Sequence, residues 1–346
     1  MKTTVLEWFK INYKQLYDQM DGCSHTHSNG NLNPFHLEGS ILAHTMLVLD
    51  LTSNDINHIF AAVLHDIGKL YTRRETQTLR VSFRNHENVS MVKSIDILKH
   101  ASTEFDIDIL LILKLIAWHG TLWNKTSVKD KLKILDARYG QQHNFLKQLM
   151  LFTEADAYGR EFSDEFSDSV NFINDQFTHL SEYIPYNTQK FRKQKDLDAI
   201  FLIGLSGSGK STYISTMNIE NFEIISTDVY FEKNHRTYDS MDHKKHINKA
   251  FSKSINALEC AVKDKKNIIV DMTNLTQEFR YNKLKRIPTT QYNHKAIVLL
   301  CGEKHLIQNL KKRDGKHLSC EIIDKQITRF ELPNYDEFNE INYILT

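Results

Sequence analysis

Apolar residues recur at helical spacing through the first half of the chain and in short unbroken runs through the second. Residues 3–20 carry Val5, Phe9, Leu16 and Tyr17 at positions that predict the buried side of one helix. The next stretch, DGCSHTHSNGNLNPFHLEG, predicts a loop by its Gly, Ser, Asn and Pro, and leaves His25 and His27 as solvated bystanders. From Ser40 the spacing turns helical again, with Ile41, Leu42, Met46, Leu47 and Val48 grouped about His44. Further apolar helices are expected at Ile59–Leu64, Ser90–Leu98, Ile109–His119 and Leu146–Arg160. Strand signals are scarce here, so this half reads as an all-α helical bundle.

The second half has a different rhythm. Short apolar runs at Ala199–Ile203, Phe222–Ser226, Asn267–Val270 and Lys295–Leu300 read as strands. Between them lie helical patterns at Lys244–Val262, around Arg280 and Lys283, from Glu303 onward, and at Glu321–Phe330. Strands alternating with helices predict a parallel sheet wound as α/β, whose ligands sit at the carboxyl ends of the strands. The acidic, aromatic-studded segment Glu161–Gln176 reads as a solvated helix face. Pro185 and the basic polar run after it mark the joint, giving domains at residues 1–189 and 190–346.

Composition narrows the class. A chain of 346 residues with 41% hydrophobic and 25% charged content can bury two cores. Cys23, Cys260, Cys301 and Cys320 form no C-x-x-C pair, so free thiols in a reducing, cytoplasmic compartment are expected. No apolar run reaches membrane-spanning length, and MKTTVLEWFK lacks the apolar core of a signal peptide. The net charge of +1 hides an asymmetry. Residues 1–189 carry 18 Lys and Arg against 23 Asp and Glu, and residues 190–346 carry 26 against 20. A modestly basic second half suits a polyanionic substrate. Eleven of the 17 histidines lie in the acidic half.

The most specific chemical pattern follows the first strand of the second half. Gly204-Leu-Ser-Gly-Ser-Gly-Lys-Ser211 matches G-x-x-x-x-G-K-[ST]. Glycines let backbone N–H groups curl round phosphate oxygens, and the following helix N-terminus favours negative charge. Gly204, Ser206, Gly207, Ser208, Gly209, Lys210, Ser211 and Thr212 are therefore candidate ligands of ATP, or another nucleoside triphosphate, with Mg²⁺. Lys210 would reach the terminal phosphates, and the Ser211 hydroxyl would hold the Mg²⁺. Asp228, at the end of the second strand, is placed either to take a proton from an attacking hydroxyl or to cap a helix. Asp271, in Asp-Met-Thr-Asn274, either faces substrate or organises a turn.

In the first half, polar residues sit at the ends of apolar helices: His44, His65-Asp66, His86, His119 and Asp156. Buried there, each needs a partner, and a shared ion would serve many at once. Histidine with aspartate suits Mn, Fe, Ni, Co or Zn, and the lack of nearby cysteine disfavours a structural zinc. HLEGSILAHT, AAVLHDIGKL, NHENVS, WHG and EADAYGR resemble, in order, the pattern of HD-superfamily metal-dependent phosphohydrolases, over residues 34–160. They look closest to the HD domains attached to tRNA nucleotidyltransferases. The resemblance implies His44, His65, Asp66 and Asp156 as the primary metal set, with His86 and His119 as ligands of a second ion. It also implies Lys69 as a phosphate-contacting lysine and His36 and Arg160 as substrate contacts.

GLSGSGKST, ISTDVY, VDMTNLTQEFR and KKRDGKHLSCEIIDKQITRFELP resemble the phage-type polynucleotide 5′-kinases and related P-loop kinases, over residues 198–335. By that resemblance Asp228 is the general base for a 5′-hydroxyl and Arg313 a lid arginine on the donor phosphates, with Lys316 nearby. Asp271, Asn274 and Arg280 become candidate substrate contacts. Some members carry an arginine three residues past the base; here that residue is Phe231, which leaves acceptor binding to Arg236 or a lysine elsewhere.

Together the halves look like the bifunctional HD–polynucleotide kinase end-healing enzymes. That likeness implies RNA or DNA ends bearing a 5′-hydroxyl and a 2′,3′-cyclic phosphate as substrates, and a separate polynucleotide ligase as partner. The alternative is an HD nucleotide phosphohydrolase fused to a kinase of a sugar, nucleotide or antibiotic.

Overall fold

A computed structural model describes residues 1–123, 143–164, 194–234, 240–312 and 318–346. The chain divides into two compact units, Met1–Thr188 and Gln189–Thr346.

Helices build the first unit. The expected helix over 3–20 is two, α1 (Lys2–Asn12) and α2 (Lys14–Gly22), because Tyr13 leaves helical geometry at φ −132°, ψ 40°. Val5, Trp8, Phe9 and Met20 are buried, while Leu16 and Tyr17 are half-buried. Helix α3 (Ile41–Leu51) starts at Ser40, whose side chain accepts from the Ala43 N–H. Asp55 caps α4 (Ile56–Leu64) in the same way through the N–H groups of Asn57 and His58. Every residue of α4 from His58 to Leu64 is buried, so this helix is wrapped on all sides. It ends at His65 and Asp66, which places their polar side chains inside the bundle.

A one-turn helix, α5 (Lys69–Thr72), follows, and then a two-stranded antiparallel hairpin that the sequence reading missed, β1 (Arg74–Glu75) with β2 (Val81–Ser82). Helix α6 (His86–Ala101) packs on α7 (Ile109–Trp118), which continues as a 3₁₀ turn over His119–Trp123. Helix α8 (His143–Tyr158) closes the described part of the bundle against α3, α4 and α7.

The second unit is a five-stranded parallel sheet with helical crossovers. Strand β3 (Leu197–Ile203) leads into α9 (Lys210–Ser215), β4 (Phe222–Ile225) into α10 (Asp228–Lys233) and α11 (Ser240–Lys263), and β5 (Asn267–Asp271) into α12 (Gln277–Leu284). Strand β6 (Tyr292–Leu300) precedes α13 (Glu303–Lys311) and α14 (Cys320–Thr328), and β7 (Glu340–Leu345) ends the chain. The sheet order is β4-β5-β3-β6-β7. Strand β7 was not anticipated; it pairs with β6 in parallel, Lys295 opposite Glu340 and Leu300 opposite Leu345. Central β3 is buried from Ala199 to Ile203, as a strand covered on both faces should be. The register sets Leu202 opposite Asp271, so β3 delivers its following loop beside the carboxyl end of β5.

Segment 165–193 lies outside the described residues, and with it the joint at Pro185 and the end of the acidic segment.

Candidate active sites

In the helical unit, Asp66 is the hub of two clusters. Its Oδ2 lies 3.2 Å from His65 Nε2 and 3.5 Å from His44 Nε2. Its Oδ1 lies 3.1 Å from His86 Nε2 and 4.0 Å from His119 Nε2. Asp156 Oδ1 completes the first cluster, 3.0 Å from His44 Nε2 and 3.6 Å from His65 Nε2. Helices α3, α4, α6, α7 and α8 thus each contribute to one buried centre from an end or an inner face.

Local hydrogen bonds fix which nitrogen faces inward. His65 Nδ1 bonds Ala62 O at 2.8 Å, His86 Nδ1 bonds Phe83 O at 2.9 Å, and His119 Nδ1 bonds Ile116 O at 2.7 Å. With those protons spent on carbonyls, each ring turns an Nε2 lone pair toward the centre, the tautomer that binds metals. The Nε2 atoms of His86 and His119 stand 3.3 Å apart, and those of His44 and His65 3.4 Å apart. Nitrogens at that distance share a proton or, once that proton leaves, face a common cation. Both oxygens of Asp66 are buried without an aligned hydrogen bond. A buried carboxylate whose two oxygens each face a pair of imidazole nitrogens fits a divalent cation on either side of Asp66.

The metal-free electrostatics agree. Burial would push His65 down, but Asp66 and Asp156 outweigh it and raise His65 to about 10. Both carboxylates stay well below the usual range despite burial, Asp66 held there first by His65 and Lys69, Asp156 first by Arg160. A proton on His65 therefore occupies the place of a cation. Since metal must displace it, binding Mn²⁺ to the chelator-treated protein at pH 8 is expected to release about one proton. Affinity should then rise with pH up to about 10. Titration calorimetry in two buffers of different ionisation enthalpy measures this; buffer-independent heats would contradict it.

Lys69 Nζ sits 2.7 Å from Asp66 Oδ2 and 3.2 Å from His25 Nε2. Arg160 Nη2 lies 3.2 Å from Asp156 Oδ1 and also reaches the Asp156 carbonyl, so it braces that carboxylate. His36 bonds Glu38 Oε1 at 2.7 Å, and the same oxygen is 3.3 Å from His44 Nδ1. His25 corrects the sequence reading. The two ends of its loop zip together through His25 N–H to Gly39 O and Ile41 N–H to Cys23 O, turning the ring inward to 1% exposure. It stacks on His36 at 4.1 Å with planes 6° apart. Together with Glu38, the two rings offer ligand atoms that all lie within 4.8 Å of one another, beside the Asp66 clusters. His27 stays in the loop, bonded to Asn29 and 3.4 Å from Glu75.

Gly68 makes this packing possible. A Cβ there would lie 2.2 Å from His86 O and 2.6 Å from Ser90 N. Gly68→Ala is expected to cost about 1–3 kcal/mol by pushing α6 away, read from denaturant unfolding. An unchanged midpoint would contradict that close approach.

In the second unit, the loop after β3 wraps toward α9, with Gly209 at φ 90°, a conformation that favours glycine. Three elements clasp the loop. Asn309 of α13 donates to Gly207 O, Gln326 of α14 bonds both Ser206 N–H and Ser206 Oγ, and Thr346 Oγ1 donates to Ser208 O. Lys210 Nζ folds over the mouth onto Gly204 O and Leu205 O, at 2.9 and 2.8 Å. Ser211 and Thr212 are exposed. They line a cavity of about 1190 Å³ together with Lys210, Asp228, Asp271 and Asn274.

Two candidate substrate contacts take structural places. Asn274, at φ 49°, donates to Leu202 O, Val270 O and Met272 O, stapling β3 to β5 behind the cavity wall. Arg280 is fully buried; it grips Glu337 through Nε and Nη2, at 2.6 and 2.9 Å, while Nη1 bonds the carbonyls of Asn274, Leu275 and Glu331. The expectation that Arg280 touches substrate is corrected on that ground. Phe231 is also fully buried, so this position offers no cation. Arg313, Lys316 and Arg236 lie outside the described residues, although Lys312 and Leu318, on either side of the first two, line the cavity.

Sequence reasoning missed Lys283, Lys325 and Arg329 in the lining. The helical spacing of Ile322, Lys325 and Arg329 along α14 carried a usable signal.

A stretch within each unit matches a known domain model. Residues 36–161 match the HD domain model, and residues 200–333 match an AAA domain model. Among solved structures, a gluconokinase from Sinorhizobium meliloti 1021 aligns at 14% identity and TM-score 0.29, over 44% of this chain and 84% of its own. A sugar kinase from Janibacter sp. HTCC2649 aligns at 15% and 0.29, over 43% and 84%. Kti12 of Chaetomium thermophilum, in complex with ADP-AlF3, aligns at 17% and 0.30, over 42% and 88%. The chain carries a helical HD domain followed by a P-loop kinase-like domain on a five-stranded parallel sheet. Among the described residues, no helix is long and apolar enough to cross a membrane.

Proposed function

We propose that the chain heals broken RNA or DNA ends, its HD unit hydrolysing a 2′,3′-cyclic phosphate, 2′-phosphate or 3′-phosphate and its kinase unit phosphorylating a 5′-hydroxyl. One observation carries the reading: a single chain pairs a metal-ligand cluster suited to phosphoester hydrolysis with a phosphate-loop cavity. Nuclease cleavage of RNA leaves both substrates, a cyclic phosphate on one side of the break and a 5′-hydroxyl on the other.

In the HD unit, His44, His65, Asp66 and Asp156 would hold one divalent ion, and Asp66, His86 and His119 a second. Bound ions of this kind lower the pKa of water and polarise a phosphoryl oxygen. Lys69, beside that set, is positioned to hold a phosphate oxygen, and Arg160 keeps Asp156 oriented. In the kinase unit, Lys210, now on its own loop carbonyls, would hold the β- and γ-phosphates of ATP, and Ser211 would hold the Mg²⁺. Asp228 accepts the proton of the 5′-hydroxyl as its oxygen attacks the γ-phosphorus, the bond to the β-phosphate oxygen breaks, and ADP departs.

The test supplies γ-labelled ATP and a Mn²⁺-loaded sample with a 5′-hydroxyl RNA ending in a 2′,3′-cyclic phosphate. Label on the 5′ end and loss of the cyclic phosphate are expected. Label found only on sugars, free nucleosides or other small acceptors would overturn the reading and leave a small-molecule kinase fused to a nucleotide hydrolase.

A further inference from the structure

A basic hairpin joins two parts of the metal centre. Strand β1 begins just after α5, whose Lys69 reaches Asp66 Oδ2, and β2 ends four residues before His86, which faces Asp66 Oδ1. Residues 73–84 carry four Arg against one Glu, a net +3, inside a half of the chain where 18 Lys and Arg against 23 Asp and Glu sum to −5. Register decides which of these arginines are free. Arg74 lies opposite Ser82 and Glu75 opposite Val81. Side chains alternate along a strand, so Arg74, Arg80 and Ser82 share one face and Glu75 and Val81 the other.

The protein itself occupies the Glu75 side. Glu75 accepts from the Ser28 N–H and hydroxyl, and Arg73 pairs with Glu75 while bonding Ser24 O and Thr26 O. These bonds pin the hairpin to the loop that carries His25. Arg74 and Arg80 on the other face, and Arg84 beyond it, are exposed, and among the described residues none of the three pairs with a carboxylate. Stability does not account for such a cluster. Like charges close together across a strand pair destabilise it, and a two-stranded hairpin has little stability of its own. Three uncompensated guanidiniums gain most from a run of phosphates, which they bind in fork geometry. Arg84 precedes His86 by two residues, at most about 7 Å of chain, so that run would start beside the metal centre.

We propose that Arg74, Arg80 and Arg84 hold the backbone phosphates of a single-stranded polynucleotide on the 5′ side of the end being hydrolysed, so that the HD unit takes oligonucleotide ends in preference to mononucleotides. This rests on the end-healing reading of the HD unit and adds to it the surface along which the strand enters.

The experiment compares cytidine 2′,3′-cyclic phosphate with a 5′-phosphorylated RNA of roughly ten nucleotides ending in a 2′,3′-cyclic phosphate, a strand that offers the kinase no 5′-hydroxyl. Full-length wild type is set beside the triple variant Arg74→Gln, Arg80→Gln, Arg84→Gln and its counterpart Arg74→Lys, Arg80→Lys, Arg84→Lys. With Mn²⁺ present, the glutamine variant should lose roughly tenfold or more in kcat/KM on the RNA and keep the wild-type value on the mononucleotide, while the lysine variant recovers most of the loss because its charge is retained. A second readout needs neither metal nor turnover: anisotropy of a fluorescent, 5′-phosphorylated RNA of the same length with a plain 3′-hydroxyl, titrated at several salt concentrations. The slope of log affinity against log salt should flatten by about 2 in the glutamine variant, the share of three single-strand phosphate contacts. Equal kcat/KM of wild type and glutamine variant on the RNA overturns the surface, and so does an equal loss on both substrates. Arginine-dependent binding to phosphatidylserine vesicles with none to the RNA would overturn it as well. Wild type that hydrolyses neither substrate, yet binds the RNA through these arginines, would retain the surface and refute the end-healing hydrolase. Hydrolysis of the mononucleotide alone, with RNA binding unchanged in the glutamine variant, would overturn the surface and leave a nucleotide hydrolase.

Discussion

Replacing Asp228 with Ala is expected to slow ATP-dependent phosphorylation of a 5′-hydroxyl end by about 10²–10⁴-fold, the range of a lost general base. Hydrolysis at the metal centre should continue at the wild-type rate. Asp228 begins α10 directly after β4 and lines the cavity that holds Lys210 and Ser211. Its backbone N–H bonds Ser226 Oγ at 3.1 Å, which ties this turn to the strand end. On the proposed reading, removing the carboxylate takes away the proton acceptor and leaves the phosphate loop untouched, so kcat should fall while affinity for ATP holds. Asp228→Asn makes the sharper comparison because it keeps shape and loses basicity. A purely capping role would leave kcat nearly intact in both variants.

Asp66→Ala should have the opposite pattern. Asp66 is the residue common to both ligand clusters, each oxygen facing a different histidine pair. Its loss is expected to cut Mn²⁺ affinity more than roughly a hundredfold, beyond the 10–100-fold typical of outer-shell partners. Hydrolysis of a 2′,3′-cyclic phosphate should disappear with the ion. The 5′-kinase should be unaffected. Metal content after gel filtration, set beside the hydrolysis rate, reads both effects. A variant that keeps its metal would mean that Asp66 is not a shared ligand.

Much of this was legible in the chain because each motif is local. His65-Asp66 ends an unbroken apolar helix, and the phosphate loop follows an unbroken apolar strand. Periodicity therefore gave the helices of the first half and the parallel sheet of the second. What was not legible depends on partners distant in sequence. Arg280 reads as a spare cation until Glu337 is folded against it. His25 reads as solvent-facing until the ends of its loop pair through Gly39 and Cys23. Strand β7 shows its identity only when β6 supplies the hydrogen bonds. Tyr13 breaks a helix that propensity would continue.

Mixing the two inactive variants provides the most direct test of two independent phosphate-handling centres. RNA fragments carrying a 5′-hydroxyl and a 2′,3′-cyclic phosphate are incubated with ATP, Mg²⁺, Mn²⁺ and both Asp66→Ala and Asp228→Ala proteins, and both ends are mapped. Independent centres should complement each other, so that the mixture heals both ends although neither variant does so alone. A mixture that leaves either end unhealed, while each variant is folded and wild type is active, would contradict that independence.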